Sequence, residues 1–477
     1  MFRTISSRIP RDPDYPERTW RIDVLSRLRD GTFYDHLPYS FQEERSGDGE
    51  YIPLREHRPA VVYGLPQIIV NDSVGMLFSE GHFPQIRCDD AETRQSLALL
   101  ADDAGMNRVM IEAAQTGSTG SAAILARFMD GRLYCEVFDT RFLTPVWNPE
   151  APDQLKQVRE RYKVRGSDLL AAGYGGLDGG GVYWFGRDWD DQAEIWYQPW
   201  PVLKDAAIGP VPVVDTERTV HHHLGFVPWV WIKNLPGGSG PDGLCSFQGA
   251  ITFGIEIDYQ MSQLGRGLRY SSDPTVVLKD PDEMGDVPRG AADPIILGSR
   301  GEAKLLEISG NAAAAVLDYV RTCRDMGLES CQGNRSCPDK MVAAQSGRAM
   351  ELMHHSLILL TDKLRISYGR AYLDLLGLVM RAARTIALKT CSGVDLPLNS
   401  AHRLVLSWPK WFPLTSRDHL EMAQSQQMLR VSGLLSQETG VALVSDDYDL
   451  PDAAGEVGKI RAESPPPAPI SSPSSEG

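Results

Sequence analysis

A chain of 477 residues is too long for one compact core and calls for two to four domains or an elongated, multi-part subunit. Composition is that of an ordinary folded protein, 42% apolar and 23% charged, and a formal net charge of −15 argues against a protein whose main task is gripping nucleic acid through a basic surface, though not against one that lets DNA pass. No apolar run at the amino terminus serves as a signal peptide, no window approaches eighteen uninterrupted apolar residues, and seven scattered cysteines read as reduced thiols in a cytoplasmic setting.

Residues 1–55 are charged and proline-rich, with one short helix expected around Arg21–Asp30. The stretch 59–81 reads as an amphipathic helix with Ile68, Val70, Val74, Met76 and Leu77 broadly on one side. Residues 91–117 supply one or two more helices, broken at Gly105. The pattern then changes to alternation around Asp130-Gly131, a hairpin signal, with further strands at 155–164, 181–186, 193–198 and 226–234. A β-rich unit, 122–234, is thus set into a helical chain, giving an α+β, predominantly helical class.

Helix returns over 246–270, roughly 37 Å at full length, although Gly249, Gly254, Gly265 and Gly267 lower its propensity, so packing must hold it. Residues 271–309 form a small strand-and-turn excursion, and helix resumes at 311–329. A polar stretch with Cys331 and Cys337 follows. Beyond it, Ala349, Met353, Leu357, Leu360, Leu364, Tyr368, Tyr372, Leu375, Val379, Ala383 and Ile386 make one stripe over 346–389. That is roughly 66 Å of helix, or two abutting helices bent at Gly369 or Gly377. Thr415 or Ser416 could cap a helix at Asp418, and another short helix begins at Ser436. From Ser464 the Pro/Ser-rich tail should be disordered.

Enzyme chemistry has no foothold in the motifs: there is no P-loop, no H-E-x-x-H, no C-x-x-C pair and no G-x-S-x-G elbow. His221 and His223 could meet a metal from one face of a strand, as in a metal-dependent hydrolase, but no carboxylate partner is identifiable and a half-exposed strand is the plainer reading. Cys331 and Cys337, six apart, with His354 and His355 downstream, lack the short-spaced pairs of a zinc site. No enzyme, cofactor or metal is therefore expected.

The order of parts resembles the portal proteins of tailed double-stranded-DNA bacteriophages. "LPQIIVNDSVGMLFSEG" resembles the family's early helix, and "HHHLGFVPWVWIKN" its strand leading to a turn. "GPDGLCSFQGAITFGIEIDYQMSQLGRGLRYSSDPTVVL" is similar to the segment that opens the stem. "AAQSGRAMELMHH" resembles the start of the long helix after the tunnel loop, and "WPKWFPLTSRDHLEMAQSQQMLRVSGLLSQETGV" the closing region. Together these span 56–463.

The resemblance implies a ring, typically of twelve subunits, around an axial channel at one capsid vertex. The parts would be a wing (1–245), stem helices (246–270 and 310–329), a clip between them (271–309), a tunnel loop (330–345), the long helix with crown and outer wing (346–463), and a tail (464–477). It further implies that the tunnel loop turns Gln332, Asn334, Arg335, Lys340 and Gln345 toward DNA in the channel, bound without sequence preference. Clip residues Lys279, Asp280, Asp282, Glu283, Asp286 and Arg289 would meet the packaging motor, the terminase large subunit, and then a head-tail adaptor protein. The major capsid protein and scaffold would surround the ring, and Met353, Leu357, Leu360, Leu364 and Tyr368 would pack neighbouring subunits. The chain would belong to the virion, and to the host cytoplasm during assembly, with no membrane partner. Another capsid or scaffold component is the alternative.

Overall fold

The computed structural model describes residues 1–202, 211–238, 240–272, 275–279, 302–306, 310–335, 347–398, 402–412, 416–445 and 453–463. The chain is α+β, with more helix than strand, and divides into two compact units, 1–336 with 354–411 and 337–353 with 412–477.

The larger unit opens with α1 (Phe2–Ser6), which the sequence pattern did not signal, and α2 (Glu17–Arg29). Helix α3 (Leu65–Leu77) is shorter than the expected 59–81, because Gly64, at φ +70°, and Pro66 in the first turn set its start. It buries Leu65, Ile69, Val70, Val74 and Leu77; Ile68, expected on that face, is only half-buried. After β1 (Gln85–Arg87) come α4 (Ala91–Asp103) and α5 (Met106–Gly117). The Asp90 carboxylate caps α4 by accepting from the Thr93 N–H at 3.0 Å, and Gly105, at φ +60°, makes the expected break.

Strands β2 (Ser121–Met129) and β3 (Arg132–Asp139) form the expected hairpin. Asp130 (φ +51°) and Gly131 (φ +76°) are both left-handed, the backbone a two-residue turn needs to match strand twist. A Cβ at Gly131 would also lie 2.6 Å from the Ala387 carbonyl oxygen. Gly131→Ala should therefore cost more than the ~1 kcal/mol of backbone strain alone, seen as a lower urea midpoint. An unchanged midpoint would mean that the turn relaxes.

Next come β4 (Leu143–Asn148), β5 (Ala151–Arg165), α6 (Gly166–Ala171), β6 (Val182–Trp189), β7 (Ala193–Trp196), β8 (Trp200–Pro201), β9 (Val220–His221) and β10 (Trp229–Lys233). One sheet runs β10-β2-β3; the other runs β4-β5-β6-β7-β9, with β8 paired to β6. Alternation along β2 explains how the two are joined. Ala122, Ile124 and Ala126 face the large helical core, while Ala123 and Leu125 face an aromatic core with Leu143, Val158, Trp189 and Trp229. All five β2 residues are fully buried, so the strand reads as a continuous apolar run.

Helix α7 (Ile251–Ser272), β11 (Thr275–Lys279), β12 (Glu302–Leu306) and α8 (Gly310–Ser330) follow, with β11 and β12 antiparallel. The single helix expected over 346–389 is two: α9 (Gly347–Met353), in the smaller unit, and α10 (His355–Ala382). The break falls at His354, not at Gly369 or Gly377. Gly369 is there for contact, since a Cβ would lie 3.2 Å from the Trp408 ring. The 28 residues of α10 span about 42 Å, packing on α3, α5 and β10. Strand β13 (Val405–Ser407) pairs with β1.

The smaller unit also holds α11 (Ser416–Val431), α12 (Gln437–Ser445) and α13 (Ala453–Glu463), the last not foreseen. Ser436 Oγ accepts from the Thr439 N–H at 3.1 Å and starts α12, and Arg461 pairs with Glu438 at 2.8 Å across α13 and α12.

Candidate functional site

Helices α7 and α8 pack as a hairpin closed at one end by the β11–β12 ribbon, whose register pairs Thr275 with Leu306 and Lys279 with Glu302. At the other end the helices touch through glycines. A Cβ on Gly327 would lie 2.8 Å from Leu65 and 3.2 Å from Phe253; one on Gly249 would lie 2.8 Å from Ser330 Oγ; one on Gly254 would meet Leu65 and Pro66 at 3.5 Å. Gly249 and Gly327 thus serve close approach, whereas a Cβ on Gly265 would meet nothing within 4 Å. The inner half of α7 is buried at Ile251, Ile255, Ile257 and Tyr259, as α8 is at Cys323 and Leu328. Outside that root the hairpin is open: Leu268, Leu317 and Tyr319 are 51%, 39% and 48% exposed.

Two buried acids hold the root. Asp242, in the loop before α7, accepts from Arg18 Nη2 (2.8 Å), Arg21 Nη2 (2.7 Å) and Ser121 Oγ (2.6 Å). Arg18 Nη1 also donates to the Thr140 carbonyl at 2.6 Å. Burial alone would raise the Asp242 pKa, but Arg18, Ser121 and Arg21 outweigh it and hold the carboxyl below its ordinary 3.8. Asp258, on α7, accepts from the Tyr63 N–H and the Tyr34 hydroxyl, each at 2.7 Å. Burial pushes it up to about 6, against those two hydrogen bonds. Neither acid emerged from the sequence as a site; an acid on the apolar side of "FGIEIDYQM" was the available signal for Asp258.

The structure gives Gln332, Asn334 and Arg335, which the resemblance turns toward DNA, partners within the chain. Lys363 Nζ donates to Gln332 Oε1 at 2.8 Å, Asn334 hydrogen-bonds Asp72, and Arg335 pairs with Glu329 at 3.3 Å. Lys340 and Gln345 lie outside the described residues, as do Asp280, Asp282, Glu283, Asp286 and Arg289 of the clip; Lys279 ends β11.

The packing stripe needs correcting. Leu357, Leu360, Leu364 and Tyr368 are at most 4% exposed within this one chain, so they fill its own core rather than a neighbour's surface. The Tyr368 hydroxyl donates to Asn234 Oδ1 at 3.0 Å, which fastens α10 to the end of β10. Met353 is half-buried in α9.

The histidines do not share the face of one strand, because β9 ends at His221 and His223 is in a left-handed turn at φ +51°. Their exposed rings stack, centroids 5.8 Å apart. Among the described residues no group of three or more His, Cys, Asp or Glu is placed to hold a metal, and no helix is long and apolar enough to cross a membrane. Cys331 is buried and its thiol pKa is raised by desolvation; Cys337 lies outside the described residues.

No family model and no curated protein matches the chain. Among solved structures it is similar to a chain from the neck of an empty GTA particle computed with C6 symmetry, at 13% identity and a TM-score of 0.42, covering 90% of this chain and 94% of that one.

Proposed function

We propose that this chain is a phage portal protein: a ring-forming subunit, twelve to the ring, that carries double-stranded DNA through an axial channel during packaging and ejection and does no bond-making chemistry itself. The observation that carries the reading is the α7–α8 hairpin. Its inner half is fastened into the core, its tip is a short antiparallel ribbon, and its outer faces leave Leu268, Leu317 and Tyr319 in solvent. Apolar side chains repeated along an open helical arm favour cover by another copy, and a heterologous contact of that kind closes into a ring. The sequence resemblance over 56–463 supports the same reading. Energy for translocation would come from a separate motor, the terminase large subunit, docking at the ribbon end, which would later receive a head-tail adaptor. The capsid protein and scaffold would hold the ring at the vertex of the virion.

Negative-stain electron microscopy with a solution mass is the test. Rings with a central hole and a mass near a dozen chains are expected, and a monomer or dimer at high concentration would overturn the proposal. Leu317→Glu with Tyr319→Glu should leave a folded chain, by circular dichroism, that no longer forms rings. Rings of unchanged mass would remove the hairpin from the interface.

A further inference from the structure

The end of α8 is tied off in an unusual way. The Gly333 N–H donates to the Leu328 carbonyl at 2.7 Å and the Gln332 N–H to the Glu329 carbonyl at 3.2 Å. This pair of bonds closes a helix through one left-handed residue, a seat that glycine fills at least cost. Here the seat is held by Gln332, at φ +56°, with the glycine one position later. Gly333 has its own reason: a Cβ there would lie 3.0 Å from Leu328 Cδ2 and 3.6 Å from Ile69. A side chain in the left-handed seat costs free energy, and such strain persists where the side chain is needed.

What Gln332 does is visible. Its Oε1 accepts from Lys363 Nζ on α10 at 2.8 Å. Two residues on, Asn334 bonds Asp72 on α3, a half-buried carboxyl that also faces Arg324 of α8 and His354 at the start of α10. Gln332 and Asn334 therefore tie the end of α8 to α10 and α3, and Cys331 and Gly333, next to these half-buried fasteners, are buried.

We infer that Gln332 and Asn334 are positioning residues: with Lys363 and Asp72 they form a bracket that fixes where and in which direction the chain leaves α8, rather than contacting DNA. The consequence for channel function rests on the portal reading; the bracket itself does not.

The test uses the intact chain and limited trypsin digestion after Arg335, one residue past Asn334, with the fragments followed by mass spectrometry. Gln332→Gly removes the strain and the link to Lys363 together. It should raise the thermal midpoint, because glycine suits the seat, yet speed cleavage after Arg335 several-fold. Lys363→Met should speed cleavage comparably without moving the midpoint, and the double variant should cut no faster than Gln332→Gly alone. If Gln332 merely ends the helix, Gln332→Gly slows cleavage or leaves it unchanged, and that result overturns the inference. Ring formation is scored on the same samples. Faster cleavage in the variants, with a wild type that makes no rings, would sink the portal reading and keep the bracket; normal wild-type rings with unaltered cleavage in the variants would do the reverse.

Discussion

Replacing Asp242 with alanine is expected to destabilise the larger unit by about 3–5 kcal/mol, the usual cost of deleting one partner from a buried ion pair. The Asp242 side chain is 2% exposed and Arg18 only 17%, so neither water nor salt can take over the lost role. Arg18 would keep its bonds to the Thr140 and Leu143 carbonyls, at 2.6 and 3.1 Å, which hold it in place with no counter-charge. The network joins α2, the start of β2 and the loop leading into α7, so its loss would loosen the hairpin root as well. Urea denaturation followed by circular dichroism measures it. Arg18→Met alone should cost a similar amount, and the double variant less than the two costs added. A loss below about 1 kcal/mol for Asp242→Ala would mean that the carboxylate's desolvation cancels its two ion pairs. The pH dependence has a definite sign. Asp242 has a folded pKa below its ordinary 3.8, so its stabilisation is complete above that value and is lost as pH falls through the folded pKa.

Local signals were readable from the residues alone. Asp130-Gly131 and Gly105 mark chain reversals that depend on one or two residues, and each lies where its pattern placed it. What failed was long-range. The α10 stripe has the period of a buried face, but period does not say whose core the face meets, and the chain's own α3, α5 and β10 fill it. Gly369 reads as a bend in the sequence and proves to be room for Trp408. Asp242 reads as a turn acid in "GPDG"; its partner Arg18 is 224 positions away, a separation no local pattern encodes. Likewise the partners that Gln332 and Asn334 find, Lys363 and Asp72, are far away in the chain, and local polarity does not encode them. The α7–α8 hairpin with its intervening strands was legible because each part is contiguous.

Asp258 should behave in the opposite way to Asp242. Among the described residues no cation faces its carboxyl; the two groups bonded to it, the Tyr63 N–H and the Tyr34 hydroxyl, are neutral donors, and burial with Asp258 alongside pushes the Tyr34 hydroxyl above its ordinary range, so it stays protonated. With a folded pKa of about 6 against an ordinary 3.8, the ionised acid is disfavoured in the fold. The penalty is therefore complete above pH 6, shrinks as pH falls through 6, and is gone below the unfolded value. With ~1.4 kcal/mol for each tenfold change in acidity, it amounts to about 3 kcal/mol at most. Asp258→Asn keeps the shape, lets the amide oxygen accept from Tyr63 and the amide nitrogen donate to Tyr34 Oη, and carries no charge. It should thus raise the thermal midpoint at pH 8 and much less at pH 5. Tyr34→Phe should do the reverse, removing one donor and deepening the penalty at pH 8. Equal shifts for Asp258→Asn at both pH values would rule out ionisation as the cause. An ionisable group kept at a cost, on the inner half of the helix that roots the open hairpin, makes this junction the place where acid should firm the attachment of the arm. If the chain forms the proposed ring, ring assembly measured from pH 8 to 5 in the wild type and in Asp258→Asn tests that link: the wild type should gain ring stability as the pH falls, and the variant should show no such gain.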